Sequence, residues 1–256
     1  LGLPVINIRY VPLNNTFNAL VKRAMDIAGS IVGIIVTSPL MLLMCAIIKL
    51  TSPGPLIYKQ ERVGLHNQTF RMYKFRSMEV QPESEEKKAW TVKNDPRVTP
   101  IGKFMRHTSI DELPQLFNVL KGDMSLVGPR PERPEIAELY KKTFPEFDYR
   151  LKMKAGLTGY AQVYGKYNTT PRDKVKLDLT YYEQYSIWLD LKLMLLTVKI
   201  MFQKETSEGI ASNMTTALRD GEKVQIPSPV NVKPEGLDES EDAFYDLGKT
   251  VQKTDK

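Results

Sequence analysis

The stretch Ile27-Ala-Gly-Ser-Ile-Val-Gly-Ile-Ile-Val-Thr-Ser-Pro-Leu-Met-Leu-Leu-Met-Cys-Ala-Ile-Ile48 carries no charge and is flanked by Lys22-Arg23 and Lys49. It is long enough to cross a bilayer, which takes about 20 apolar residues. Ser38-Pro39 interrupts it at its middle. Proline removes a backbone donor and crowds the carbonyl four residues back, here Ile35. A freed carbonyl in lipid is costly unless something satisfies it. The Ser38 hydroxyl can reach back to Ile35 or Ile34. A bent helix is therefore feasible at this point.

The flanks speak to topology. Lys22 and Arg23 precede the run; Lys49, Lys59, Arg62, Arg71, Lys74 and Arg76 follow it. Positive residues beside membrane segments favour the cytoplasmic side. Both ends are basic, so a helix that enters, kinks at Pro39 and returns to the same leaflet satisfies them. A plain span with a proline kink is the alternative.

Composition narrows the partners. The chain has 256 residues and a formal net charge of +6. One main domain with appendages is expected. The positive balance suits lipid headgroups or phosphates. The basic residues crowd beside the apolar run, which argues against nucleic acid. The single cysteine, Cys45, lies inside that run, so no disulfide forms within the chain. His66 and His107 have no metal-ligand spacing to it.

Further along, Val5 to Tyr10 alternates like a short strand. Thr51-Ser-Pro-Gly-Pro55 closes the apolar run. Short strands are expected at 56–58 and 70–75 around a turn at 64–67, and a solvated charge run at 83–88. Helices are expected over 101–120, 134–143, 174–185 and 189–204. The stretch 128–134 reads as rigid loop and 155–165 as turn-rich. The helix at 189–204 is apolar nearly all round, with Lys192 and Lys199 one heptad apart. That pattern suits the headgroup plane, with the lysines snorkelling outward. After about residue 210 the chain turns polar and reads as mostly disordered.

The chemistry gathers around Arg106-His-Thr-Ser-Ile-Asp111-Glu112-Leu-Pro114-Gln115. Two adjacent carboxylates precede a proline and an apolar helix. Ser109-x-x-Glu112 matches a capping box. Alternatively Asp111 caps the helix and Pro114 falls in its first turn, a place that keeps a carboxylate ionised and welcomes phosphate oxygens. Arg130, locked between Pro129 and Pro131, presents a guanidinium suited to phosphate. Cations that bind oxygens, with a carboxylate that holds Mg²⁺ or attacks phosphorus, are what phosphate handling needs.

Over roughly residues 20–205 the chain resembles the bacterial sugar transferase family, the polyprenyl-phosphate hexose-1-phosphate transferases. The resemblance rests on Lys22-Arg-x-x-Asp26, Ser38-Pro39, Lys49 to Pro55, Gln60 to Gly64, Lys74-Phe-Arg-Ser-Met78, Asp95-x-Arg-x-Thr-x-x-Gly102, Ser109 to Gln115, Asn118 to Ser125, Val127-Gly-Pro-Arg-Pro131, Asp178-x-x-Tyr181 and Ser186 to Asp190. It departs at Tyr160, Tyr164 and Lys166, where members often carry Trp, Asn and Arg.

The resemblance implies an α+β, mainly helical, monotopic membrane protein. It would have a re-entrant helix-break-helix, interfacial amphipathic helices and a small β-hairpin or sheet. The implied layout is a remnant of an upstream domain at 1–17, the membrane helix at 18–50, a catalytic domain at 51–210 and a polar tail at 211–256. The implied reaction moves a hexose-1-phosphate, glucose or galactose, from a UDP-sugar to undecaprenyl phosphate, releasing UMP. That is a first membrane step of capsule or exopolysaccharide synthesis, at the cytoplasmic leaflet of a bacterial cell membrane.

Asp111 would be the nucleophile, passing through an aspartyl-phosphosugar, and Asp111 and Glu112 would hold Mg²⁺. Substrate contacts are implied for Lys22, Arg23, Arg62, Lys74, Arg76, Arg106, Arg130, Asp178 and Tyr181. A homodimer is compatible with the sequence. Two rival readings stay open: a membrane-surface adaptor whose acidic pair merely caps a helix, and a hydrolase of lipid-linked diphosphates.

Overall fold

The computed structural model describes residues 12–79, 95–165 and 169–201, and the backbone of two short strands further on. The expected strand at 5–10 and the charge run at 83–88 lie outside the described residues.

One helix dominates. Helix α1 runs Thr16–Thr51. Asn15 caps it, its side chain accepting from the Phe17 amide at 2.9 Å. Pro39 sits inside it, yet the helix continues as one element. Ser38 Oγ donates to the Ile35 carbonyl at 2.8 Å, which satisfies the acceptor that proline strands. The helix stops at Ser52, just before Pro53-Gly54-Pro55, where Gly54 takes φ +117°.

Strands β1 (Ile57–Val63) and β2 (Thr69–Phe75) form an antiparallel hairpin, in register from Ile57 with Phe75 to Val63 with Thr69. His66 and Asn67 turn the chain in the left-handed region. Both strands extend beyond the short segments expected from sequence.

The expected helix over 101–120 is two. Helix α2 (Pro100–His107) ends before Ser109, which adopts φ +55° and reverses the path. A 3-10 turn, Ile110–Glu112, follows, then α3 (Gln115–Lys121). Pro114 cannot donate to the carbonyl of Ile110, so one regular helix cannot run through. Gly122, at φ +103°, closes α3, its N–H shared between the Asn118 and Val119 carbonyls.

Beyond α3, β3 (Ser125–Val127) leads to the proline-rich loop and α4 (Pro134–Thr143). A 3-10 run, Pro145–Lys152, precedes β4 (Gly156–Thr158), which pairs parallel with β3. Helices α5 (Tyr160–Tyr164), α6 (Pro171–Glu183) and α7 (Ile187–Met201) complete the body. Past them, Thr216–Arg219 pairs antiparallel with Glu222–Gln225, and the rest of the tail lies outside the described residues.

Both halves of α1 pack on this body. Before Pro39, the buried Asp26 carboxylate accepts from Ser125 Oγ and from the Leu126 amide, each at 2.9 Å. Gly29 and Gly33 let the helix approach Leu126 and Leu116; a methyl at Gly29 would fall 2.5 Å from the Leu126 side chain. After Pro39, Met41, Met44 and Ile48 share a buried cluster with Phe75 and Met105. The opposite face leaves Ile31, Val32, Ile35, Val36, Leu42 and Leu43 exposed. By length and composition α1 could cross a membrane. Helix α7 also exposes an apolar side: Trp188, Leu191, Leu195 and Val198.

Candidate active site

Asp111 and Glu112 stand on the 3-10 turn between α2 and α3. Neither expected capping arrangement forms. The Ser109 side chain makes no cap bond, and α3 begins after Pro114, itself in helical conformation. The carboxylates are thus free of a capping duty, and their surroundings separate them.

Glu112 is shared between two cations. Its Oε1 accepts from Lys74 Nζ at 2.6 Å and from Arg130 Nη2 at 2.7 Å. Arg130 Nη1 reaches Oε2 at 3.4 Å. Burial works against the charged form, but Arg130 and Lys74 outweigh it and hold this carboxyl well below the usual range. Burial likewise lowers the Lys74 pKa, with Glu112 resisting.

Asp111 is different. It is 7% exposed. Among the described residues its carboxylate has no hydrogen bond or ion pair. Burial pushes its pKa up to about 6; Lys74, Arg106 and Arg130 pull it down, while Glu112 pushes it further up. A carboxylate that is close to cations but bonded to none of them is open to an incoming electrophile.

The Arg130 loop is fixed by four successive carbonyls, each with a donor. Pro129 O accepts from the Gly156 amide at 2.8 Å, and Arg130 O from Arg150 Nη2 at 2.9 Å. Pro131 O accepts from Arg62 Nη1 at 3.0 Å, and Glu132 O from the Val63 amide at 2.9 Å. Arg150 is buried and paired with Asp178 at 2.8 Å. So Asp178 holds Arg150, Arg150 holds the Arg130 backbone, and the Arg130 side chain reaches Glu112. Burial raises the Asp178 pKa to about 6, against the pull of Arg150.

The structure therefore brings together Asp111, Glu112, Lys74, Arg106 and Arg130. Arg106 Nε is held by Ser77 Oγ at 2.8 Å. Arg62 and Asp178 stand behind the loop. The other expected contacts are engaged by the fold. Arg76 donates to the Pro53 and Ser52 carbonyls, pinning the end of α1. Arg23 donates to the Val119 and Leu120 carbonyls at the end of α3. Lys22 Nζ pairs with the buried Asp190 at 2.7 Å, and Tyr181 donates to the same carboxylate at 2.6 Å. Lys22, Arg23 and Arg76 join α1 to the body, and Tyr181 supports the Asp190 carboxylate that Lys22 grips.

Sequence reading missed Arg150 and the buried Asn118. Asn118 completes the edge of β2, accepting from the Tyr73 amide and donating to the Arg71 carbonyl. Asn118 lies in a motif quoted above. Arg150 had no local signal, because its partners are distant in sequence.

Among the described residues no cluster of three or more His, Cys, Asp or Glu side chains converges. A hard cation here would complete its shell from phosphate oxygens and water, as Mg²⁺ commonly does. The unpaired oxygens of Asp111 fit that use. Those of Glu112 are shared with Lys74 and Arg130.

Comparison with known proteins follows the same residues. The model of the bacterial sugar transferase family matches residues 17–204. The chain is 40% identical over 202 residues to the UDP-glucose:undecaprenyl-phosphate glucose-1-phosphate transferase of Escherichia coli (strain K12), covering 77% of this chain and 43% of that protein. It is 43% identical over 184 residues to the UDP-N-acetylgalactosamine-undecaprenyl-phosphate N-acetylgalactosaminephosphotransferase of Aeromonas hydrophila, covering 71% and 43%. It is 42% identical over 199 residues to the undecaprenyl-phosphate galactose phosphotransferase of Salmonella typhimurium, covering 72% and 41%. The chain spans less than half the length of these relatives.

Proposed function

We propose a function on one premise: the chain belongs to the bacterial sugar transferase family. It moves a hexose-1-phosphate from a UDP-sugar to undecaprenyl phosphate and releases UMP. The three relatives carry different sugars in their names, so the hexose is left open.

The observation that carries this reading is the buried, unpaired Asp111 carboxylate beside Lys74, Arg106 and Arg130. In the first step an Asp111 oxygen attacks the phosphorus that bears the sugar. The bond from that phosphorus to the oxygen of UMP breaks, and UMP departs with the electron pair. In the second step an oxygen of undecaprenyl phosphate attacks the same phosphorus, and Asp111 leaves as a carboxylate. Two displacements mean that the bulky donor and the lipid acceptor need not meet.

Arg130 and Arg106 bind phosphate oxygens, and Lys74 screens the approaching anions. Glu112 holds Lys74 and Arg130 in place between turnovers. Asp111, with Glu112 beside it, would hold Mg²⁺, which would supply further neutralisation of the donor's charge.

The membrane reading is a helix that enters and returns to the cytoplasmic leaflet. Its support is that residues on both sides of Pro39 pack on the same body. A span with its ends on opposite faces would leave one half without these partners. The exposed apolar side of α7 then faces the lipid. The adaptor reading gives no reason for a buried carboxyl held near neutral pKa without a partner.

The test is UMP release from a panel of UDP-sugars, with and without undecaprenyl phosphate, in detergent. Turnover that needs the lipid supports the transferase. Steady release of sugar phosphate without lipid would mark a hydrolase. No release with any donor would sink the reading.

A further inference from the structure

Gly122 closes α3 at φ +103°, a conformation that favours glycine. Having no side chain, it also leaves space. The point that a Cβ would take there lies 3.3 Å from Arg23 Nη2 and 3.7 Å from Lys154 Nζ. Two cations from distant parts of the chain thus border one open spot. Arg23 donates through Nη1 and Nη2 to the Val119 and Leu120 carbonyls, and each of these nitrogens carries a second N–H. Lys154 is half-buried, and among the described residues its ammonium makes no hydrogen bond or ion pair. The charges around it are engaged elsewhere. Lys22 pairs with Asp190, and Lys121 with Asp123. Asp26 accepts from Ser125 Oγ and the Leu126 amide. Burial, and then Arg23, lowers the Lys154 pKa, with Asp26 and Asp123 resisting. An anion at this spot would offset both costs.

The place selects the anion. Arg23 precedes Ile27, the first residue of the charge-free run, by four positions, about 6 Å along a helix. Basic residues one turn outside an apolar membrane segment meet lipid headgroups. Gly122 is also remote from the acidic pair. The seven residues of α3 separate it from Pro114, about 10 Å of helix.

We propose that Arg23 and Lys154 form a second phosphate site over Gly122, which takes the phosphodiester of an anionic phospholipid headgroup. The inference rests on α1 meeting the bilayer, not on the transferase reading. No bond is made or broken in the lipid. The bound headgroup links α1, the end of α3 and the segment before β4 at the membrane surface.

The experiment titrates the whole chain, in an uncharged detergent, with short-chain phosphatidylglycerol and reads binding by calorimetry. Wild type binds it, and Lys154→Met binds it about tenfold more weakly or worse, the weight of one charge-assisted hydrogen bond. Lys192→Met removes an exposed lysine of α7 and stays within twofold of wild type. An equal loss in both variants marks diffuse surface charge and overturns the proposal. So does absence of binding in wild type. Inorganic phosphate that binds wild type as tightly marks a site for free anions and also overturns it. If Lys154→Met weakens binding of undecaprenyl phosphate but not of phosphatidylglycerol, the pair belongs to the acceptor and the proposal fails.

Two further readouts separate the alternatives. Without lipid, the Tm of Lys154→Met stays within about a degree of wild type, because no partner is lost. A fall of several degrees marks a counter-charge for Asp26 and overturns the proposal. Flotation with neutral vesicles tests the membrane association by itself. A chain that stays unbound refutes that association, while the titration in detergent still decides for Lys154.

Discussion

Arg130 Nη2 lies 2.7 Å from Glu112 Oε1 although 18 residues separate the two in sequence. Lys74 Nζ reaches the same oxygen at 2.6 Å from the other side. One carboxylate therefore ties the β-hairpin and the proline-rich loop to the turn that carries Asp111. The two adjacent acids do different work, and their variants differ in sign.

Asp111→Asn abolishes UMP release and raises stability near neutral pH. The folded pKa of Asp111 is about 6, above the ordinary 3.8. The fold thus favours the protonated carboxyl. That advantage is complete below about pH 3.8 and is lost as pH rises through 6. A gap of about two pKa units is worth up to about 3 kcal/mol at pH 7.5. Asparagine imitates the neutral acid, so its Tm exceeds wild type at pH 7.5 and converges with it near pH 4. Calorimetry in chelator, without substrate, measures this; a lower Tm for the variant at pH 7.5 contradicts the burial argument.

Glu112→Gln loses stability instead. Its carboxylate is the counter-charge of a largely buried Lys74. Removing one partner of a buried pair costs about 3–5 kcal/mol, because the other charge is left uncompensated. Thermal melts of the two single variants at one pH should move in opposite directions. A Glu112→Gln melt at or above wild type would show that the Lys74 and Arg130 pairing contributes little.

Arg150 and Asp178 position Arg130 through its backbone. Arg150→Met frees the Arg130 carbonyl and leaves Asp178 buried without its cation. Activity falls although neither residue faces Asp111. Coupling between Arg150→Met and Arg130→Lys, measured as kcat/KM in a double-mutant cycle, is expected at 0.5 kcal/mol or more, within the range of about 0.5–3 for residues in one network. Strict additivity would separate Arg150 from the site.

On the re-entrant reading proposed above, the two ends of α1 are reachable from one side of the membrane. Single cysteines from Thr16→Cys and Lys49→Cys, each in a Cys45→Ala background, should both react with an impermeant thiol reagent in inverted vesicles and be protected in right-side-out ones. Labelling from opposite sides would replace the re-entrant reading with a plain span.

Some of this architecture was legible in the chain. Proline, glycine and hydrophobic period placed α4, α6 and α7 to within three residues and found the hairpin, although β1 runs five residues past its expected end. Ser38 was marked as the partner of the carbonyl that Pro39 strands, and its hydroxyl does bond Ile35. The split at Ser109 was not legible, because serine has no strong left-handed preference and its path depends on the surrounding fold.

Motif residues can serve the fold. Lys22, Arg23, Arg76 and Tyr181 stand in quoted motifs as Arg130 does, and in this structure their partners are Asp190 and backbone carbonyls. Sequence does not distinguish a group that grips substrate from one that grips the scaffold. Arg150 shows the converse: its value comes from Asp178 and the Arg130 carbonyl, 28 and 20 positions away.

Because the hydrophobic helix is clasped by the body both before and after its proline, the anchor is not an interchangeable peg. Grafting a generic tether in its place would strip the β3 amide and the Phe75–Met105 cluster of their partners at once. On the membrane reading proposed above, lipid insertion and assembly of the rest of the fold would be coupled, so that detachment from the bilayer and loss of the Asp111 site would become a single event.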